Sequence, residues 1–250
     1  MTIKEYFELN NKAAIAFSGG VDSAYLLYAA AEAGADVKAY YVRSVFQPDF
    51  EFEDAKRVAA MIGCRLRVIE ADVLSDKRVA ANPKDRCYYC KQHIMRAITD
   101  AARADGYGIV CDGTNASDDV DDRPGFRALG EYGIRSPLRE CGLTKADIRK
   151  ASKEAGLPTW NKPAYACLAT RILTGEKITE EKLRTTEQAE DILFAMGFRD
   201  IRVRMRGKNA LVQIEESRHA EALGRAEEIK EALSGLYDEV KIDGSPRISG

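Results

Sequence analysis

The sequence predicts an α/β protein in which a parallel sheet is flanked by helices and followed by a small C-terminal α+β domain. Short apolar runs of the buried-strand type, such as 13–17 and 37–42, alternate with helical patterns over the first two-thirds of the chain. Strands separated by helices of this length form βαβ units with a parallel sheet. The pattern changes near residue 163, so we divide the 250 residues into domains 1–163 and 164–250.

Local signals predict the individual elements. A strong helix-forming run ends at Gly34, and the capping box from Thr144 to Asp147 starts a helix that closes at Gly156. The predicted strands are 13–17, 37–42, 66–69, 109–111, 201–205, 210–214 and 237–242. The predicted helices are 24–33, 50–62, 90–104, 145–155, 179–196 and 218–233.

Residues 18–23, which we call the 18–23 loop, read Ser-Gly-Gly-Val-Asp-Ser and separate the first strand from the first helix. Glycines let backbone N–H groups approach phosphate, and a helix N-terminus favours negative charge. No Lys follows the glycines, so this is not a Walker A loop. An ordinary strand–helix turn is the alternative.

The sequence of the 18–23 loop resembles the PP-loop of ATP pyrophosphatases, which cleave ATP between the α- and β-phosphates. That resemblance implies pyrophosphate contacts and one magnesium ligand: Ser18, Gly19, Gly20 and Ser23 for pyrophosphate, and Asp22 for Mg²⁺.

Charge and hydropathy narrow the class of protein. The chain has 38 basic and 40 acidic side chains and a net charge of -2, unlike the basic surfaces that bind tRNA. No apolar stretch approaches ~18 residues, and the first ten residues lack a signal-peptide core. We therefore expect a soluble cytoplasmic protein with no membrane partner and with nucleic acid disfavoured. Six cysteines in that compartment indicate metal or sulfur chemistry rather than disulfides.

Three cysteines are candidates for that chemistry. Cys87 and Cys90 form a CxxC pair at a helix start, and Cys167 lies in the junction loop at 165–175. If the sheet brings that loop over the 18–23 loop, three thiolates converge and can hold three irons of a [4Fe-4S] cluster, which leaves the fourth iron open. A structural zinc with His93 as fourth ligand and uncoordinated thiols are the alternatives. The other three cysteines are expected to be structural or idle: Cys64, Cys111 and Cys141.

Further polar segments are candidates for phosphate contacts. Lys91 either stabilises the departing pyrophosphate or is an ordinary surface lysine. Asp112, Gly113 and Thr114 follow a buried strand, and ligands collect at the carboxyl ends of strands in such sheets, although a plain turn is the alternative. The segment 122–125 either positions phosphate or starts a helix.

The second domain offers a candidate anion site. Arg202, Arg204 and Arg206 alternate along one strand and therefore share a face. The planar guanidinium suits carboxylate and phosphate, so this face is either a pocket for a small, multiply anionic substrate or a solvated surface. Glu190 and Glu215 could balance or orient these arginines.

These motifs together resemble the LarE family of PP-loop proteins, the pyridinium-3,5-biscarboxylic acid mononucleotide sulfurtransferases that act in nickel-pincer nucleotide synthesis for lactate racemase. The resemblance covers nearly the whole chain and rests on SGGVDS, YYxK, DGTN, DxRPG, WNKPxxxC, the TR after it, and RVR. It implies a Rossmann-like sheet, ATP, Mg²⁺, and an adenylated carboxylate converted to a thiocarboxylate. It adds Trp160 and Arg171 to the substrate-binding candidates, although Trp160 could simply pack.

The family has a branch that sacrifices one cysteine and a branch that carries a [4Fe-4S] cluster. Cys87, Cys90 and Cys167 match the cluster branch, and the resemblance also implies a separate sulfur donor and a homohexamer. Three other functions are alternatives: a tRNA-thiolating PP-loop enzyme, an NAD synthetase-like amide ligase, and a non-catalytic nucleotide-binding regulator. The charge balance disfavours the first, and the second leaves the three cysteines unexplained.

Overall fold

The computed structural model describes residues 1–119 and 124–247, which divide into two compact units. The first unit comprises Met1–Val73 and Asp85–Lys162, and the second comprises Leu74–Lys84 and the chain from Pro163 onward. The segment Leu74–Lys84 thus groups with the second unit although the first unit surrounds it in sequence. Among the described residues, no helix is long and apolar enough to cross a membrane.

The first unit contains a four-stranded parallel sheet, and the second contains a three-stranded mixed sheet. The strands are β1 (Lys12–Ala16), β2 (Asp36–Arg43), β3 (Arg65–Glu70), β4 (Val110–Cys111), β5 (Ile201–Arg206), β6 (Asn209–Ile214) and β7 (Glu239–Ile242). The strand order is β3-β2-β1-β4 in the first sheet and β5-β6-β7 in the second, with β5 and β6 antiparallel. The parallel sheet confirms the predicted α/β class.

Eleven α-helices lie among the described residues. They are α1 (Ile3–Leu9), α2 (Val21–Glu32), α3 (Asp49–Ile62), α4 (Lys77–Ala80), α5 (Arg86–Ala104), α6 (Pro124–Glu131), α7 (Pro137–Glu140), α8 (Lys145–Glu154), α9 (Glu180–Ala195), α10 (Glu216–Gly224) and α11 (Ala226–Leu233).

Helices cover both faces of the parallel sheet, because successive side chains of its strands point in opposite directions. Ala39 and Tyr41 of β2 pack in one core with residues of α2 and α3. Tyr40 and Val42 of the same strand pack in the other core with Met95 of α5 and its neighbours. This arrangement leaves the carboxyl ends of the strands for the connecting loops.

The structure differs from two of the predicted helices and adds a helix at the start of the chain. Helix α5 begins at Arg86 rather than at residue 90, so both cysteines of the CxxC pair lie in the first turns of the helix. The helix predicted at 218–233 is divided into α10 and α11 at Arg225, directly after Gly224, a residue that disfavours helix. Helix α1 was not predicted, although its capping box of Thr2 and Glu5 was a usable signal.

The segment Leu74–Lys84 is joined to the second unit by hydrogen bonds at Asn82. Its carbonyl accepts from Gly175 N at 2.8 Å, and its amide Nδ2 donates to Leu173 O at 2.9 Å. Two residues earlier, Ala80 O accepts from Ile178 N at 2.8 Å. These hydrogen bonds hold the segment Leu74–Lys84 against the chain that follows Cys167.

Asp105 directly follows α5, and its carboxylate contacts three side chains of the parallel sheet. These contacts hold the sheet to the C-terminal end of the helix. The Asp105 carboxylate lies 2.6 Å from Lys38 Nζ and 2.7 Å from Arg67 Nη1, and it accepts from Tyr40 OH at 2.8 Å. The hydrogen bond from Lys38, followed by those from Arg67 and Tyr40, holds the pKa of Asp105 well below its ordinary value. The folded state therefore prefers the ionised carboxylate.

We expect Asp105→Asn to lower Tm at pH 7 and to weaken the loss of Tm on acidification. A carboxyl whose pKa is lowered by folding stabilises the protein above its ordinary pKa of ~3.9, and that contribution is lost as pH falls below it. Thermal unfolding between pH 7 and pH 2 measures the effect. An unchanged slope below about pH 4 would contradict it.

Candidate active site

The 18–23 loop leads from β1 into the first turn of α2, which begins at Val21, and is curled around two serines. Ser23 Oγ accepts from Ser18 N at 3.2 Å and donates to Gly20 O at 3.3 Å. The two serine hydroxyl oxygens are 3.1 Å apart. A helix of 12 residues starts directly behind this turn, so its N–H groups and dipole face the loop. The geometry suits a bound phosphate chain.

Two glycines of this region occupy places that a side chain could not. Gly19 has φ 74°, and a Cβ there would lie 2.8 Å from Cβ of Ala55 in α3. A Cβ on Gly113, after β4, would lie 2.9 Å from the backbone N of Ser23. The loop is therefore packed between α3 and the turn after β4, at two positions that only glycine can occupy. The absence of a Cβ at Gly19 lets a ligand approach the backbone there, which suits ATP.

The turn after β4 is stabilised by its own side chains. Asp112 Oδ2 accepts from Thr114 Oγ1 at 2.6 Å, and Asp112 Oδ1 accepts from Ser136 Oγ at 2.7 Å. Both Asp112 and Thr114 are buried. In the described structure these two predicted nucleotide-binding side chains shape the turn, while Gly113 makes the close approach to the 18–23 loop.

Asp22, the predicted magnesium ligand, has two neighbours from distant parts of the chain. Its Oδ2 lies 2.5 Å from Nζ of Lys145, the first residue of α8, and its Oδ1 accepts from Asn115 Nδ2 at 3.4 Å. The Asp22 side chain remains about one-quarter exposed, at 24%. Lys145 was missed as a site residue, because no local pattern links it to a loop more than one hundred residues earlier.

The predicted cluster ligands belong to different units. Cys87 is exposed and Cys90 is half-buried, both in the first turns of α5, and Lys91 follows them, half-buried. Cys167 belongs to the second unit, where its carbonyl accepts from Thr170 Oγ1 at 2.9 Å. Within the described ranges, no group of three or more His, Cys, Asp or Glu side chains is arranged to hold a metal ion.

The remaining cysteines are poor nucleophiles. Burial raises the pKa of the Cys111 thiol to about 12 and raises the pKa of Cys64 and Cys141 above the ordinary value. Since the thiolate is the reactive form and the metal ligand, a raised pKa disfavours nucleophilic and metal-binding roles for these three cysteines.

Arg171 and Glu190 form a buried ion pair in the second unit. Arg171 Nε lies 2.8 Å from Glu190 Oε1 and Nη2 lies 3.0 Å from Oε2, while the side chains are 0% and 1% exposed. Glu190 Oε1 also accepts from Val203 N at 2.9 Å, and Oε2 accepts from Tyr165 OH. These contacts tie α9, β5 and the chain around Cys167 into one network.

Arg202 and Arg204 extend from the same face of β5 into polar surroundings. Arg202 is buried and donates to Ile201 O at 2.6 Å and Ala164 O at 2.7 Å. Burial, with Arg171 nearby, lowers its pKa to about 10. Arg204 donates to Gln213 Oε1 at 2.7 Å and to Thr170 O at 2.8 Å, and burial lowers its pKa as well. Arg202 thus supports the chain, and Arg204 is the less buried of the two.

The remaining predicted site residues make contacts apart from the 18–23 loop and from the buried Arg171–Glu190 pair. The ring of Trp160 is 4.7 Å from Lys153 Nζ, and its carbonyl accepts from Arg149 Nη1 at 2.7 Å. Glu215 is half-buried at the start of α10, where its N–H donates to Asp200 O at 3.1 Å. Asp122 and Arg123 of the segment 122–125 lie outside the described residues.

Sequence comparison identifies relatives that match most of the chain. A pyridinium-3,5-bisthiocarboxylic acid mononucleotide synthase of Lactiplantibacillus plantarum is 33% identical over 224 residues, 89% of this chain and 81% of that protein. An uncharacterized protein of Synechocystis sp. is 37% identical over 213 residues, 85% of this chain and 80% of that protein. Comparison with models of known protein families gives no match.

A more distant relative matches a smaller part. A tRNA-specific 2-thiouridylase of Clostridium botulinum, itself a PP-loop protein, is 27% identical over 181 residues, 60% of this chain and 51% of that protein. The fold, the 18–23 loop and the match over 81% of the Lactiplantibacillus protein agree with one another. The chain therefore belongs to the LarE family of PP-loop proteins.

Proposed function

We propose that this protein is an ATP-dependent sulfurtransferase that converts a carboxylate of pyridinium-3,5-biscarboxylic acid mononucleotide into a thiocarboxylate. The observation that carries the proposal is the 18–23 loop, which is packed closely between α3 and the turn after β4 and contains the partly exposed carboxylate of Asp22. The relative from Lactiplantibacillus plantarum supports sulfur transfer. The pathway is nickel-pincer nucleotide synthesis for lactate racemase.

Adenylation activates the substrate. A carboxylate oxygen attacks the α-phosphorus of ATP, the bond to the bridging oxygen of the β-phosphate breaks, and pyrophosphate leaves. Backbone N–H groups of the 18–23 loop and the N-terminus of α2 bind the departing charge. Asp22 would hold the Mg²⁺ that neutralises the phosphates, since carboxylate oxygen is a ligand that Mg²⁺ prefers.

Sulfur transfer completes the reaction. Sulfide sulfur attacks the carbonyl carbon of the acyl adenylate, the carbon–oxygen bond to AMP breaks, and AMP leaves with its electron pair. Cys87, Cys90 and Cys167 would hold a [4Fe-4S] cluster, which would carry the sulfide for transfer. What supports this part of the proposal is the chemistry of the residues: thiolates are the ligands of such clusters, and Cys87 is exposed three positions from Cys90 on one helix. A separate donor reloads the sulfur.

We expect anaerobic reconstitution to give about four irons per chain and a broad visible absorbance band. Cys87→Ala, Cys90→Ala and Cys167→Ala should each lower the bound iron, because each removes one ligand. Cys141→Ala is the matched control and should retain it. A protein that holds one tight zinc and takes up no iron would contradict the cluster and support the zinc alternative.

We expect Arg204→Ala to weaken binding of the pyridinium nucleotide by roughly 10- to 100-fold and to leave ATP binding unchanged. A charge-assisted, bidentate contact to phosphate or carboxylate contributes about 1.5–3 kcal/mol. Calorimetric titration of each nucleotide measures this. Lys208→Ala, at an exposed position of the turn after β5, is the control and should bind both nucleotides like the wild type. Equal losses for both nucleotides would mean that Arg204 supports the fold instead.

Thiolation of tRNA is the second candidate, because a tRNA-specific 2-thiouridylase matches 60% of the chain. The net charge of -2 disfavours it. Incubation of the reconstituted protein with ATP and either tRNA or the pyridinium nucleotide separates the two functions, and thiolated tRNA would overturn the proposal.

We also propose that the protein forms a homohexamer. Measurement of its molar mass in solution tests this proposal.

A further inference from the structure

The 18–23 loop contains no cationic side chain of its own. The sequence has no Lys or Arg between Lys12 and Lys38, so a positive side chain for the phosphates of ATP must come from another segment. Pyrophosphate carries several negative charges, and PP-loop chemistry requires their neutralisation as they leave. Among the described residues, Lys145 is the cation that forms an ion pair with the loop, 2.5 Å from Asp22.

The backbone of Lys145 is fixed while its side chain has room to turn. Its N–H donates to Ser117 Oγ at 3.0 Å, and Thr144 caps the helix just before it. Its side chain is 35% exposed, and a lysine stem is flexible. The ammonium group can therefore change partners without any movement of α8.

A second lysine, Lys162, forms ion pairs with two carboxylates instead of one. Lys162 Nζ lies 3.0 Å from both Glu51 Oε1 and Asp54 Oδ2 of α3, the helix whose Ala55 packs on Gly19. Its side chain is only 15% exposed. Two carboxylates compensate Lys162, whereas Lys145 contacts one carboxylate that is itself the proposed magnesium ligand. Lys145 is thus the cation that metal binding would release.

We propose that Lys145 is a phosphate-binding residue that Asp22 holds in place before nucleotide arrives. Without nucleotide, the ammonium group and a divalent cation compete for the Asp22 carboxylate. With nucleotide, the metal takes Asp22 and Lys145 turns to the β- and γ-phosphates. This inference rests on the proposed function, because it assumes that the loop binds ATP.

The competition gives Lys145→Met two effects of opposite sign. Loss of the ammonium group should tighten binding of a divalent cation alone, since Asp22 no longer has a competing partner. The same loss should weaken binding of a nucleotide that has β- and γ-phosphates. A residue that only supports the fold would weaken both or change neither.

The experiment uses the full chain with two probes. Mn²⁺ alone is titrated by electron paramagnetic resonance, and α,β-methylene-ATP is titrated by calorimetry with Mg²⁺ present. For Lys145→Met we expect Mn²⁺ affinity to rise about 3-fold or more and analogue affinity to fall about 10-fold, the effect of losing a contact of ~1.4 kcal/mol. AMP, which lacks the outer phosphates, should bind unchanged.

Two variants provide the controls. Lys150→Met, at an exposed position of α8, should leave both affinities at the wild-type value. Lys145→Arg keeps the charge and should retain most of the analogue affinity, even if Lys145→Met is unstable. Parallel loss of Mn²⁺ and analogue binding, or no change in either, would overturn the role of Lys145. Failure of the wild-type protein to bind the analogue would overturn the proposed function along with it.

Discussion

Asp22→Ala is expected to abolish pyrophosphate release, with a fall of at least ~10²-fold, while the fold remains intact. The substitution removes the carboxylate that would hold Mg²⁺ against the phosphates, and electrostatic stabilisation of a departing charge is commonly the largest contribution to catalysis. The structural effect is small, because the ion pair of Asp22 with Lys145 is partly exposed. A coupled pyrophosphate assay and the thermal unfolding curve measure the two properties.

Glu32→Gln is the matched control, since Glu32 is exposed at the other end of α2. It removes one carboxylate from the same helix and should leave pyrophosphate release unchanged. Wild-type turnover in Asp22→Ala would show that the 18–23 loop does not handle ATP as proposed.

Arg171→Met is expected to lower the free energy of unfolding of the second unit by about 3–5 kcal/mol. The substitution leaves the carboxylate of Glu190 buried without its cation, although Val203 N and Tyr165 OH still donate to it. An uncompensated buried charge is far more destabilising than the loss of a surface pair. Urea denaturation followed by circular dichroism measures the change.

Glu180→Gln serves as the comparison on the same helix, α9. Its partner, Arg184, is 72% exposed and Glu180 is 53% exposed, so we expect a change of no more than ~0.5 kcal/mol. The double variant Arg171→Met with Glu190→Leu should recover part of the stability, because it removes the unpaired charge. A loss in Arg171→Met as small as that in Glu180→Gln would contradict the importance of the buried pair.

Much of the first unit followed from local patterns. The strand at 12–16 and the helix that follows the 18–23 loop were predictable because apolar runs, glycines and caps act over a few residues. The break at Arg225 and the early start of α5 were not, since the signals there are weak and tertiary packing decides.

The residues of the candidate site likewise include some that local sequence patterns predicted and some that they did not. The 18–23 loop was recognisable because its chemistry is contained in six consecutive residues. Lys145 was not, because its relation to Asp22 exists only after β1, α2 and α8 have packed together. Arg171 and Glu190 were both named as substrate-binding candidates, but no sequence pattern showed that they would bind each other in a buried pair.

The most direct test of the account is the identity of the phosphorus products. Reconstituted protein is incubated anaerobically with ATP, Mg²⁺ and pyridinium-3,5-biscarboxylic acid mononucleotide, and phosphorus-31 magnetic resonance follows the reaction. We predict AMP and pyrophosphate in equal amounts, formed together with a thiocarboxylate that mass spectrometry detects. ADP and inorganic phosphate as the products would contradict cleavage between the α- and β-phosphates and, with it, the proposed function.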